Sequence, residues 1–178
     1  MRYLWLLLIT LLTGCVERPK HVTPVEHFHL DRYLGTWYEI ARLDHSFERG
    51  LEKITATYSP REDGGVKVIN RGFDTESGKW KEAEGKAYFV ENPDTGFLKV
   101  SFFGPFYGAY VVIDTDYETY TMISGPDRSY FWILSRTLQL DPQIQSHLIL
   151  KAKEAGFETQ KLIFVDHSQS AQQYTKEE

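Results

Sequence analysis

One cysteine, Cys15, in 178 residues removes three possibilities together: an internal disulfide framework, a metal site built from several thiolates, and a Cys-X-X-Cys redox pair. Positive charge is also short, with 20 Lys plus Arg against 25 Asp plus Glu and a net charge of −5. No basic run gathers those cations, and polyphosphate binding relies on such clustering, so the chain reads as having no nucleic-acid partner. An apolar run of the roughly 20 residues that cross a bilayer is missing too; Tyr3–Leu12 falls well short. There is no Gly-X-Ser-X-Gly elbow, no His-Glu-X-X-His pair and no phosphate-binding loop. What remains is 42% hydrophobic and 15% aromatic residues, enough for the core of one compact domain.

The short apolar run is an address. Arg2 and the free amine form a positive n-region before Tyr3–Leu12, the pattern of a secretory h-region. Leu12-Thr13-Gly14-Cys15 then sets two small residues directly before the cysteine and resembles the lipobox of bacterial lipoproteins. That resemblance implies removal of residues 1–14 as signal peptide, an S-diacylglyceryl group on Cys15, and an N-acyl chain such as palmitate on its new amine. Two or more chains hold a protein stably on a membrane, so lipidated Cys15 is the expected membrane contact. Val16 stands where inner-membrane-retained lipoproteins carry Asp, which by the same resemblance points to the outer membrane.

Residues 15–27, with Pro19, Pro24 and mixed charges, lack hydrophobic periodicity and read as acylated Cys plus flexible tether. His27 and His29 offer two imidazoles without a third ligand, so no metal and no cofactor is expected. From Gly35 onward, segments rich in Val, Ile, Thr, Tyr, Phe and Trp alternate with turn residues. They predict strands over 36–43, 53–59, 66–73, 80–90, 97–103, 107–114, 119–124 and 130–136. Connections this short pair neighbours antiparallel, and strands apolar on both faces suit a closed, lined barrel. Asp141, Pro142 and Gly156 then bracket a helical repeat of Ile144, Leu148, Ala152 and Ala155. The expected fold is all-β: an eight-stranded antiparallel up-and-down barrel over 28–166, with one C-terminal helix packed outside, a short ninth strand over 161–165, and a polar tail over 167–178.

Gly35-Thr36-Trp37-Tyr38, Thr115-Asp116-Tyr117 and Arg136, in that order, resemble the three signature regions of the lipocalins. The likeness extends over about Phe28 to Val165, and with the lipobox the whole chain looks like a bacterial outer-membrane lipocalin. The resemblance makes Gly35, Trp37, Thr115, Asp116 and Arg136 a structural signature, with Arg136 stacked on Trp37 at the closed end of the barrel. If Trp37 points inward, a period of two adds Glu39 and Ala41, and Arg136 likewise selects Leu134, Trp132 and Tyr130. The family's register extends the ligand-binding interior to Ile54, Ala56, Tyr58, Val100, Phe102, Tyr110, Val112, Thr121 and Ile123. Glu39 stands out, because a carboxylate inside a barrel needs a cation, a hydroxyl or a ligand headgroup.

By resemblance, the chain is a binder with no catalytic residues, holding an amphiphilic lipid such as a fatty acid or lysophospholipid for storage or transport in envelope maintenance. Two alternatives stay open: an envelope scaffold whose barrel is filled by side chains, and an enzyme acting on a lipid ligand, for which Asp44-His45-Ser46 supplies residue types but not converging geometry. Exposed aromatics around Phe103 to Tyr107 suit a homodimer or a membrane contact. A chain beginning at Val16 is expected to unfold cooperatively in urea while Cys15→Ala leaves the membrane pellet; loss of the cooperative transition would count against the barrel.

Overall fold

A computed structural model of the chain describes residues 16–20 and 22–168. The signal peptide read over 1–14, Cys15 and the tail beyond Ser168 lie outside the described residues. Eight strands follow in order: β1 Gly35–Arg42, β2 Leu51–Pro60, β3 Val66–Asp74, β4 Lys79–Phe89, β5 Phe97–Phe103, β6 Phe106–Thr115, β7 Tyr120–Ser124 and β8 Phe131–Ser135. Each pairs antiparallel with the next. The expected boundaries shift by at most two residues.

Local chemistry sets many of the turns. A side-chain oxygen of Asp63, Asp74, Asn92, Asp116 or Asp127 accepts a backbone N–H two residues on, at 2.8–3.1 Å, so the turn holds itself without help from the core. Closure depends on β1. Its first half pairs with β2, Trp37 facing Ala56, and its second half pairs with β8, Glu39 facing Leu134. The ladder order β2-β3-β4-β5-β6-β7-β8-β1 therefore returns to β2, leaving the eight strands no free edge to template aggregation. β9, Ile163–Phe164, pairs with Ala41 and Arg42 outside the barrel.

Two short elements were not legible as periodic patterns. A single helical turn, α1 (Leu30–Tyr33), lies across the end where β1 begins, and a 3₁₀ turn, Thr159–Lys161, precedes β9. The segment read as a flexible tether is also docked in part. Val25 N–H donates to Val112 O and Gly96 N–H to Val25 O, both at 2.8 Å, and Val22 and Phe28 are buried. Residues 22–27 therefore form part of the barrel wall, because their backbone groups find partners on β6 and the β4–β5 turn.

The wall separates two cores. One fills the interior around Trp37, Tyr58, Val68, Leu98 and Val112; the other lies between the outer wall and α2, Pro142–Glu154. Asp141 caps α2 by accepting from the N–H groups of Gln143 and Ile144 at 2.8 and 3.2 Å. Gly156, at φ +86°, ends it, and Phe157 N–H closes back onto Ala152 O at 3.1 Å. Phe157 then packs against Phe131 of β8, ring centroids 4.5 Å apart and planes tilted by 34°. Leu148 is fully buried in this outer core, so Leu148→Ala is expected to cost about 2–5 kcal/mol, read as a lower urea midpoint at unchanged m value.

Candidate functional site

The barrel has one plugged end. Trp37, fully buried, donates from Nε1 to Tyr33 O of α1 at 2.9 Å. The Arg136 guanidinium lies 3.7 Å above the centre of the Trp37 ring. It also donates to the carbonyls of Tyr117, Thr36 and Arg32 at 3.1, 3.0 and 2.8 Å, so one side chain ties α1, β1 and the β6–β7 turn together. Gly35 is required by its backbone, at φ +94°, a region other residues rarely adopt. Asp116 braces the turn from below, accepting from the N–H groups of Glu118, Thr119 and Tyr120 at 2.7–3.1 Å. Burial pushes its pKa up, and those N–H groups more than offset that, leaving it below the usual carboxylate range.

Above the plug the wall is mostly apolar, but three phenols meet in it. Tyr110 OH lies 2.7 Å from both Tyr33 OH and Tyr58 OH, and Thr121 Oγ1 is 3.4 Å from Tyr33 OH. Burial pushes Tyr33 up to about 12 and Tyr58 and Tyr110 well above 10, so all three stay neutral hydrogen-bonding groups at physiological pH. Around them Phe28, Val66, Val68, Ala87, Leu98 and Val100 enclose a void of about 10 Å³, the space of roughly one water.

The other end, the mouth, carries charge. Arg42 is buried and donates from Nη1 to Glu39 Oε1 at 2.9 Å and from Nη2 to Glu48 O at 3.0 Å. Its Nε stands 3.9 Å from Glu48 Oε2, which accepts from Trp132 Nε1 at 3.1 Å. Burial, and then the neighbouring Glu48 charge, raise Glu39 to about 8 against the opposing pull of Arg42. Burial raises Glu48 as well. His45 is driven down to about 4 by burial and by Arg42. Asp44 is taken by Arg49, at 2.6–3.0 Å, and Ser46 is exposed, so the three consecutive residues do not converge as a triad.

Residues 28–167 match the family model described as a lipocalin-like domain. The chain is a lipocalin. It is 55% identical to Outer membrane lipoprotein Blc of Vibrio cholerae over 93% of this chain and 98% of that one. Against the protein of the same name from Escherichia coli K12 it is 54% identical over 83% and 84%. Rat apolipoprotein D shares 34% identity over 69% of this lipocalin and 68% of itself. Among solved structures, insecticyanin from the tobacco hornworm superposes with a TM-score of 0.69 at 25% identity, covering 90% of this chain and 92% of that one. With relatives named outer membrane lipoproteins, this lipocalin is a lipid-anchored protein of the outer membrane.

Of the residues expected in the lipocalin interior, Ala56, Tyr58, Val112, Ile123 and Leu134 are buried in the inner core, and Val100, Phe102, Tyr110 and Trp132 pack against it. Ile54 is buried two residues before Ala56. Ala41 is the exception. It lies in the outer core with Ile40 and Leu43, because the register between β1 and β8 slips between Glu39 and Ala41 and a bulge reverses the inside–outside alternation. The same slip turns Arg42 inward, where it supplies the cation that Glu39 needs. Arg42, Glu48 and His45 were therefore invisible to strict alternation, and Phe28 and Tyr33 lay outside the expected strands. Arg136→Ala is expected to destabilise the protein by at least about 2 kcal/mol, read as a lower melting temperature, because it strands three carbonyls and uncovers Trp37.

Proposed function

We propose that this outer-membrane lipocalin holds an amphiphile with one or two acyl chains, a fatty acid or lysophospholipid, and stores or carries it for maintenance of the envelope. The observation that carries this reading is a barrel interior with a sealed lower end, an apolar wall and a charged mouth, a gradient that matches an amphiphile entering tail first. Each methylene taken from water is worth about 0.8 kcal/mol, so an acyl chain offers more transfer energy than the entropy of binding removes. The anchor raises the effective concentration of membrane lipid at the mouth. Glu39, Ile54, Ala56, Tyr58, Val100, Phe102, Tyr110, Val112, Trp132 and Leu134 are the proposed contacts; Ala41 is not among them. The protein acts in this reading as a binder with lipidated Cys15 as its membrane contact.

One observation favours a second reading. The void among Phe28, Tyr58 and Tyr110 holds only about 10 Å³, so an acyl chain reaching that depth must move those side chains; a barrel filled by side chains throughout is the arrangement of an envelope scaffold. Pairing into a homodimer has its natural surface in Phe103 and Phe106 at the mouth, 82% and 79% exposed.

Native mass spectrometry of the lipidated protein purified from envelopes, followed by solvent extraction, tests the two readings. A mass excess that releases a fatty acid or lysophospholipid is the expected result. A bare acylated mass, with no uptake of added lysophosphatidylcholine or palmitate, would sink the carrier reading and leave the scaffold.

A further inference from the structure

The loop between β1 and β2, residues 43–50, is folded onto the mouth. Leu43 N–H donates to Phe131 O of β8 at 3.0 Å. The ring of His45, which is buried, stacks on those of Phe47 and Tyr130, centroids 5.3 and 4.7 Å away and planes within 7° and 5°. Glu48 turns back beneath, held through its carbonyl by Arg42 and through its carboxylate by Trp132. Glu39, Arg42 and Glu48 are thus sealed under the loop, all buried.

Two carboxylates share one guanidinium there. With one carboxyl protonated the trio is neutral; with both ionised it holds a net negative charge out of water, a state that burial strongly opposes. The packing around it is already incomplete, since Arg42 Nε and His45 Nε2 are buried without a hydrogen-bond partner. Swinging the loop away would hydrate all of these groups together.

We propose that the loop over residues 43–50 is a lid on the barrel, latched from below by Glu39, Arg42 and Glu48, and released when the proton shared by the two carboxylates is lost. The groups around the latch set the direction. On the loop, Asp44 is already paired with Arg49 at the surface, and His45 stays neutral above pH 6 because burial lowers it to about 4. Asp127, from the β7–β8 turn, adds negative charge towards His45. Tyr58 of β2, raised well above 10 chiefly by burial, stays a neutral phenol and adds no charge to the latch. His167, after β9, meets the carbonyl of Glu39 at 2.6 Å. Glu39 and Glu48 are both raised in the closed state, so the closed lid binds more protons than the open one. Its stability is present at low pH, before the exposed carboxylates ionise, and is lost as pH rises through about 8.

The inference rests on the lipid-container reading, because a lid matters only to something that enters, but its test titrates no ligand and so fails independently of that reading. Ser46→Cys, at an exposed loop position, is spin-labelled in the full-length lipidated protein in phosphatidylethanolamine–phosphatidylglycerol vesicles, where acylation has consumed the thiol of Cys15. The rotational correlation time of the label is expected to be severalfold shorter at pH 9 than at pH 6, because the closed state loses its protonation advantage over that interval. Adding Glu39→Gln should leave the label as ordered at pH 9 as at pH 6, and adding His167→Gln should leave the transition in place. Glu48→Gln serves if the Glu39 variant fails to melt cooperatively. Identical spectra at both pH values in the labelled parent, a transition that survives both carboxylate variants, or one abolished by His167→Gln would each overturn the latch.

Discussion

A single register slip in β1, between Glu39 and Ala41, shapes both the mouth of the barrel and its outer face. β1 has to serve three partners: β2 along its first half, β8 along its second, and β9 at its end. A regular strand would carry one alternation through all of them. The bulge instead lets Trp37 and Glu39 face in, turns Ile40 and Ala41 out to the helix-side core, and brings Arg42 back inside. Without it, Glu39 would be buried with no cation and Arg42 would emerge in the apolar seam between wall and helix, each a costly isolated charge.

The two ends of the barrel solve opposite problems. At the closed end the groups needing partners are backbone carbonyls of α1, β1 and a tight turn, and one arginine satisfies three while its flat cation covers an indole. That arrangement is rigid because the guanidinium keeps its charge at any accessible pH. At the mouth, the arginine shares a dry site with two carboxylates whose protonation responds to burial. One end is therefore a fixed plug and the other a titratable seal. The interior between them is mostly apolar, with the Tyr33, Tyr58 and Tyr110 hydroxyls linked to one another and to Thr121.

The segment leading into the barrel is held more closely than a free tether would be. Val25 is hydrogen-bonded to β6 and the β4–β5 turn, and Arg128 reaches the carbonyl of Lys20 at 3.3 Å. Residues 22–27 are thus fixed to the barrel wall and add no free length to the segment before it.

The strand count, the turns, the helix with its Asp141 cap and Gly156 stop, the signature residues and most interior positions were legible in the sequence. Each depends on a local signal: a period of two or 3.6, an Asx or glycine at a bend, or a short motif. The charged mouth was not legible, because Arg42 and Glu48 face inward through a bulge and a folded loop that leave no periodic trace. Nor was the tight packing at the lower end of the interior, since Tyr58, Tyr110 and Phe28 bring their bulk to one place from residues far apart in the chain. Sequence by itself determined that this chain is an all-β barrel of the lipocalin family. Only the tertiary structure decided which side chains meet inside it, because packing and burial are properties of contacts between distant segments.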